Sequence, residues 1–153
     1  DEPGALSQLV LGAAAGIQPR EGFIMDQLVI DYVDYVRMGF ADDEAFERFF
    51  GVDPPVPTRV VLYGSREMAM RVTWKPWMFR RSLPFLLEGV RTPALVLWGS
   101  DDRIIPPDAG VQFAAALPNS TPVVLEGAGH FIDFEQPDRI VAEIQALRVR
   151  AAV

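Results

Sequence analysis

Ala94-Leu95-Val96-Leu97-Trp98, running into Gly99-Ser100-Asp101-Asp102-Arg103-Ile104-Ile105-Pro106, decides how this chain folds. The first five residues are apolar without alternation, and Thr92-Pro93 and Gly99 punctuate their ends. Such a run predicts a strand buried on both faces. Beyond it, Pro107 to Leu117 predicts a helix, with proline in its first turn and Val111, Phe113, Ala114 and Leu117 facing inward. Pro118-Asn119-Ser120 makes a turn, and Val123-Val124-Leu125 predicts a second buried strand. Gly127-Ala128-Gly129 breaks the chain before His130. Pro137 to about Val149 then predicts an amphipathic helix, with Ile140, Val141, Ile144 and Leu147 on one side. Strand, helix, strand, helix implies an α/β fold with parallel strands and right-handed crossovers.

Towards the N-terminus, residues 3–8 look like the end of a helix or a turn. Leu9-Val10-Leu11 predicts a short buried strand ending at Gly12, and Ala13–Gly22 a loop. From Phe23 to Leu87 no β-alternation persists. Ile24, Leu28, Tyr32 and Tyr35 recur at helical spacing. Asp42-Asp43-Glu44 opens a second helix, where acidic residues suit the N-terminal dipole, and Phe46, Phe49 and Phe50 supply its apolar side. Gly51–Pro57 is a break, and Arg59–Arg71 a third helix weakened by Gly64. Trp74-Lys75-Pro76-Trp77-Met78-Phe79 is a dense aromatic patch ahead of a short turn at Arg81–Pro84. The organisation is therefore a helical module, 23–87, set into an α/β core, 1–22 and 88–153.

Composition narrows the partners. The chain has 153 residues and a net charge of −7, an acidic balance that argues against nucleic acid. It has no cysteine, which removes disulfides, thiolate zinc sites and a cysteine nucleophile, and which fits a cytoplasmic protein. With one histidine it holds few metal ligands, so no metal or other cofactor is expected. No apolar run approaches the roughly 20 residues of a membrane helix, so no membrane partner is expected either.

Two loops carry the chemistry. The run Gly99–Pro106 follows one predicted strand, and Gly127-Ala128-Gly129-His130-Phe131 follows the next. Ligands of open parallel sheets sit beyond the carboxyl ends of the strands, so an acid and the chain's one histidine emerge on one edge. A neutral imidazole can take a proton and return it, and a nearby carboxylate holds the ring in one tautomer. Taken alone, Asp102 could cap a turn, His130 could be a surface or core residue, and Glu135 reads as capping or preceding the last helix. Their order along the chain is what selects the catalytic reading.

Trp98-Gly99-x-x-Asp102 with Pro106, and Gly127-x-Gly129-His130 with Glu135 and Pro137, resemble the acid and histidine loops of the α/β-hydrolase fold superfamily. The resemblance implies that Leu9–Gly16 corresponds to strand six and its loop, that 23–87 is an inserted helical cap, and that the two later strands are seven and eight. It assigns Asp102 as the triad acid, with Asp101 as rival, and His130 as the general base. Phe131 either lines the pocket or packs under the histidine. Trp74, Trp77 and Met78 either line the substrate cavity beneath the cap or pack within it. The implied activity is serine-type hydrolysis of an ester or carbon–carbon (acyl) bond in a small apolar substrate. Two alternatives stay open: an epoxide hydrolase or haloalkane dehalogenase with an aspartate nucleophile and cap tyrosines (Tyr32, Tyr35, Tyr63), and a non-catalytic ligand binder.

The family's Gly-x-Ser-x-Gly elbow is absent from these residues, and neither Ser65 nor Ser100 completes one. The chain does not begin with Met, and the expectation is that it starts after the elbow. The implied partner is then the N-terminal half of the same fold, and the chain alone is expected to be inactive. Without that half the first strand presents an unpaired edge, an aggregation hazard. Residues 1–153 alone should be poorly soluble; a cooperative, reversible melt of the isolated monomer would contradict this.

Overall fold

The computed structural model describes residues 6–73 and 78–151; Trp74 and Trp77 lie outside them. Among the described residues three strands, β1 (Leu9–Gly12), β2 (Ala94–Gly99) and β3 (Ser120–Leu125), form one sheet in the order β1-β2-β3. Both pairings are parallel, with Leu9 opposite Ala94 and Ala94 opposite Ser120. Between β1 and β2 come α1 (Tyr32–Met38), α2 (Asp43–Phe50), α3 (Val56–Thr73) and α4 (Leu83–Leu87). Helix α5 (Pro107–Ala116) connects β2 to β3, and α6 (Ile132–Glu135) and α7 (Pro137–Ala151) follow. The fold is α/β, a parallel sheet flanked by helices. Among the described residues, no helix is long and apolar enough to cross a membrane.

All six residues of β2 are buried, as its unbroken apolar run predicts. Because side chains alternate across a strand, β2 divides them between two cores. Ala94, Val96 and Trp98 join Phe113 and Leu117, together with Tyr32, Val36, Phe40 and Phe46 from the helical segment. Leu95 and Leu97 meet Leu125, Ile132 and Leu147 on the other face. One strand thus anchors helices on both sides, and that sets the position of the loop at its end.

Several expectations change. The helix foreseen from Ile24 starts at Tyr32, because two aspartates bond the backbone first. Asp26 Oδ1 accepts the Leu28 amide at 2.8 Å, and Asp31 Oδ1 accepts the Val33 amide at 2.8 Å as the N-cap. Such short side chains compete with helix-interior bonding. The preceding Met25 amide is also drawn onto Ile104 O at 2.8 Å. Strand β3 is an edge rather than a buried strand: Pro122 and Val124 face solvent, and proline is tolerated there because it needs no ladder donor. Val111 and Val141 are exposed, so the inward faces of α5 and α7 are narrower than predicted. Gly64 does not interrupt α3, which runs 18 residues and buries none of them. The turn foreseen at Arg81–Pro84 runs into α4 instead.

Gly110 marks where α5 approaches the sheet. A Cβ there would lie 2.7 Å from two atoms of the Trp98 indole. The indole cannot retreat easily, since it is buried and its Nε1 donates to Ile105 O at 3.0 Å. Glycine-to-alanine in a helix ordinarily stabilises by roughly 0.5–1 kcal/mol, but overpacking costs about 1–3 kcal/mol. Gly110→Ala should therefore lower Tm by a few degrees in a thermal melt; a raised Tm would show that α5 can shift.

Candidate active site

The acid loop is organised by one side chain. Asp102 follows β2 and its side chain is 0% exposed. Its Oδ1 accepts the amides of Ile104 and Ile105, both at 2.9 Å. Its Oδ2 lies 2.9 Å from Nδ1 of His130. A carboxylate can only accept, so Nδ1 carries the proton and Nε2 is left as the basic nitrogen. Burial of a carboxylate without partners would be costly, and here three donors compensate it.

Asp101, the rival, turns away. It is exposed and accepts a bond from Ser100 Oγ at 2.8 Å, while Ser100 Oγ accepts the Gly127 amide at 2.8 Å. Ser65 donates to Val61 O within α3. Neither serine bonds His130.

The histidine loop follows β3, and it is fitted closely to its neighbours. A Cβ on Gly99 would fall 2.1 Å from Gly129 O, and one on Gly129 would fall 2.4 Å from Gly39 O. Glycine is thus demanded by close backbone approach. The His130 and Phe131 amides both donate to Gly39 O, at 2.6 and 3.2 Å. The sequence holds no short-range signal for these contacts, because the turn after α1 reaches the loop from far along the chain. Glu135 does not act as a cap of the last helix: its two oxygens accept the amides of Ala41 and Gly129, at 2.8 and 2.7 Å. Arg103 donates to Phe40 O at 2.7 Å and to Met38 O at 3.2 Å.

Aromatic rings pack around this junction. Phe131 lies 5.3 Å from Phe40 and meets the His130 ring edge-on at 5.4 Å. Met78 adopts a left-handed φ of 56° and packs against the core that holds Tyr32 and Phe113. Tyr32 and Tyr35 stack at 5.4 Å, and the Tyr63 hydroxyl donates to Asp31. Burial, then Tyr32 and the carboxylates of Asp102 and Asp26, push the Tyr35 phenol well above its ordinary range.

A cleft of about 500 Å³, walled by Arg20, Arg81, Phe85, Asp108 and Gln112 among others, includes neither His130 nor Asp102. Among the described residues, no group of three or more His, Asp or Glu side chains could hold a metal ion.

The two aspartates should separate in a stability assay. Asp102→Ala strips the acceptor from two amides beside buried residues and should cost roughly 1–3 kcal/mol. Asp101→Ala, at an exposed site, should stay within about 0.5 kcal/mol of the parent. Equal losses in chemical denaturation would contradict the distinct environments of the two carboxylates.

The alpha/beta hydrolase fold family matches residues 14–137. An uncharacterised hydrolase of Bacillus subtilis (strain 168), YugF, is 39% identical over 61 residues, which cover 40% of this chain and 22% of that protein. The 2-hydroxy-6-oxononadienedioate/2-hydroxy-6-oxononatrienedioate hydrolase 1 of Dechloromonas aromatica (strain RCB) is 40% identical over 53 residues, covering 35% of this chain and 18% of the relative. The crystal structure of the esterase RhEst1 from Rhodococcus sp. ECU1013 superposes with a TM-score of 0.62 at 25% identity, covering 94% of this chain and 56% of that one. The chain thus spans about half the length of that solved structure, and its matched stretches cover about a fifth of these curated relatives. With a buried acid bonded to its one histidine at the carboxyl edge of a parallel sheet, and a family match over most of its length, this chain belongs to the alpha/beta hydrolase fold family.

Proposed function

We infer that the chain supplies the acid and the base of a hydrolase's catalytic triad. The observation that supports this most is the 2.9 Å bond from His130 Nδ1 to a carboxylate that is buried and held by two backbone amides. With Nδ1 occupied, Nε2 takes the proton of a nucleophile and hands it to the leaving group. Asp102 keeps the ring in that tautomer and stabilises the imidazolium as it forms. The nucleophile in this reading is a serine of the family's Gly-x-Ser-x-Gly elbow, a motif that these 153 residues do not contain. It attacks the substrate carbonyl, the leaving group departs with the proton from Nε2, and water activated by His130 releases the acyl product.

The substrate class is a small molecule with an ester or a hydrolysable carbon–carbon bond next to a carbonyl. Several relatives named for hydrolysing 2-hydroxy-6-oxononadienedioate, two of them 36% and 40% identical over their matched stretches, favour the carbon–carbon reading. The segment 23–87 serves as the cap over the substrate, with Trp74, Trp77 and Met78 as candidate lining residues. The free edge of β1, which pairs with β2 on its other side, receives a strand from the N-terminal half of the fold.

The test is turnover by the full-length protein on a short p-nitrophenyl ester and on 2-hydroxy-6-oxononadienedioate. His130→Ala should abolish hydrolysis of whichever is a substrate. Asp102→Asn should lower kcat by about 10⁴-fold, the loss expected when the ring takes the wrong tautomer. Undiminished turnover in His130→Ala would sink the assignment.

A further inference from the structure

Four backbone groups at the end of α1 and in the turn after it, from Met38 to Ala41, are bonded to the loops that carry Asp102 and His130 and to α6. Gly39 O accepts the His130 amide at 2.6 Å and the Phe131 amide at 3.2 Å. Arg103, next to Asp102, donates Nε to Met38 O at 3.2 Å and an Nη to Phe40 O at 2.7 Å. Glu135 ties the Ala41 amide to the Gly129 amide through its two oxygens, at 2.8 and 2.7 Å. The turn is thus gripped from the acid loop by a guanidinium and from the end of α6, just beyond the histidine loop, by a carboxylate. The fit leaves no slack, because a Cβ on Gly129 would lie within 2.4–2.8 Å of backbone atoms of Gly39, Phe40 and Ala41.

We propose that Glu135 and Arg103 are positioning residues, latching the Met38–Ala41 turn across both loops and so holding the His130 ring against Asp102. Neither touches the imidazole. Each acts through the backbone: Glu135 through the amide of Gly129, immediately before His130, and Arg103 through the turn whose Gly39 carbonyl holds the His130 amide. Residue chemistry suits the task. A carboxylate offers two acceptor oxygens to two amides, and a planar guanidinium spans two carbonyls that a lysine ammonium would not bridge in the same geometry. The latch also links the turn between α1 and α2 to the acid–base pair, so displacement of that segment loosens the pair. Its catalytic meaning rests on the reading of His130 as the base, whereas its structural content does not.

The test reads the proton on His130 Nδ1 by ¹⁵N-edited NMR of the full-length protein, assigned by its loss in His130→Ala. Held by Asp102, this proton should resonate far downfield and exchange slowly. Glu135→Ala and Arg103→Lys should each accelerate its exchange at least tenfold, while amides of β2 keep their parental exchange. Glu135→Gln, which retains one acceptor oxygen, should fall between parent and Glu135→Ala, and it serves in place of the alanine variant should that fail to fold. Glu143→Ala, which removes a surface ion pair with Arg139 on α7, should leave the signal unchanged. Parental exchange in both Arg103→Lys and the Glu135 variants would overturn the proposal, as would an equal acceleration in Glu143→Ala. In turnover, the latch variants should lose kcat with little change in KM. A lost Nδ1 signal with undiminished kcat would uphold the latch and count instead against His130 as the base.

Discussion

The carboxylate of Asp102 has no contact with solvent, and its placement organises the surrounding structure. A buried charge is tolerable only when donors surround it. Two of those donors are the amides of Ile104 and Ile105, which curl the loop after β2 back on itself. The third is the imidazole, which is therefore drawn to one orientation. The curl also seats Ile104 and Ile105 in the core and brings the Ile105 carbonyl under the Trp98 indole. A single acid thus bonds the loop that carries it, a stretch that enters the core, and the ring on the loop after the next strand.

What the sequence discloses here follows the range of the forces involved. Strand β2 was legible because burial on both faces demands an unbroken apolar run, and Ala94–Trp98 has one. The loops at the carboxyl ends were legible from glycine and proline punctuation around Asp102 and His130. The choice between Asp101 and Asp102 was not legible from residue type. It depended on which carboxylate turned inward to the amides two and three residues on, a matter of local backbone path.

The misreadings are equally physical. Helical spacing from Ile24 was genuine, yet Asp26 and Asp31 offered the backbone nearer partners than a helix would. Val124, Val111 and Val141 are apolar residues at exposed positions, and periodicity cannot tell which side of an edge strand or a helix the next layer covers. Glu135 reads from the sequence as capping or preceding the last helix, and Arg103 carries no reading of its own. Glu135 finds one of its partners 94 residues away, and Arg103 finds its partners 63 and 65 residues away, so only the folded chain identifies them.

The contact of Gly99 with Gly129 has a consequence for how such a site can diversify. Backbone meets backbone there with no room for a side chain, and the two residues end and follow adjacent strands. The spacing of the two loops is therefore set in part by the interstrand spacing of the sheet, about 4.8 Å in any protein, and the side chains of Glu135 and Arg103 complete the fit. Other residues of the two loops can then be exchanged without resetting the approach of one loop to the other. A junction whose closest contact is backbone on backbone tolerates change in most of the side chains around it, but not at the two glycines themselves.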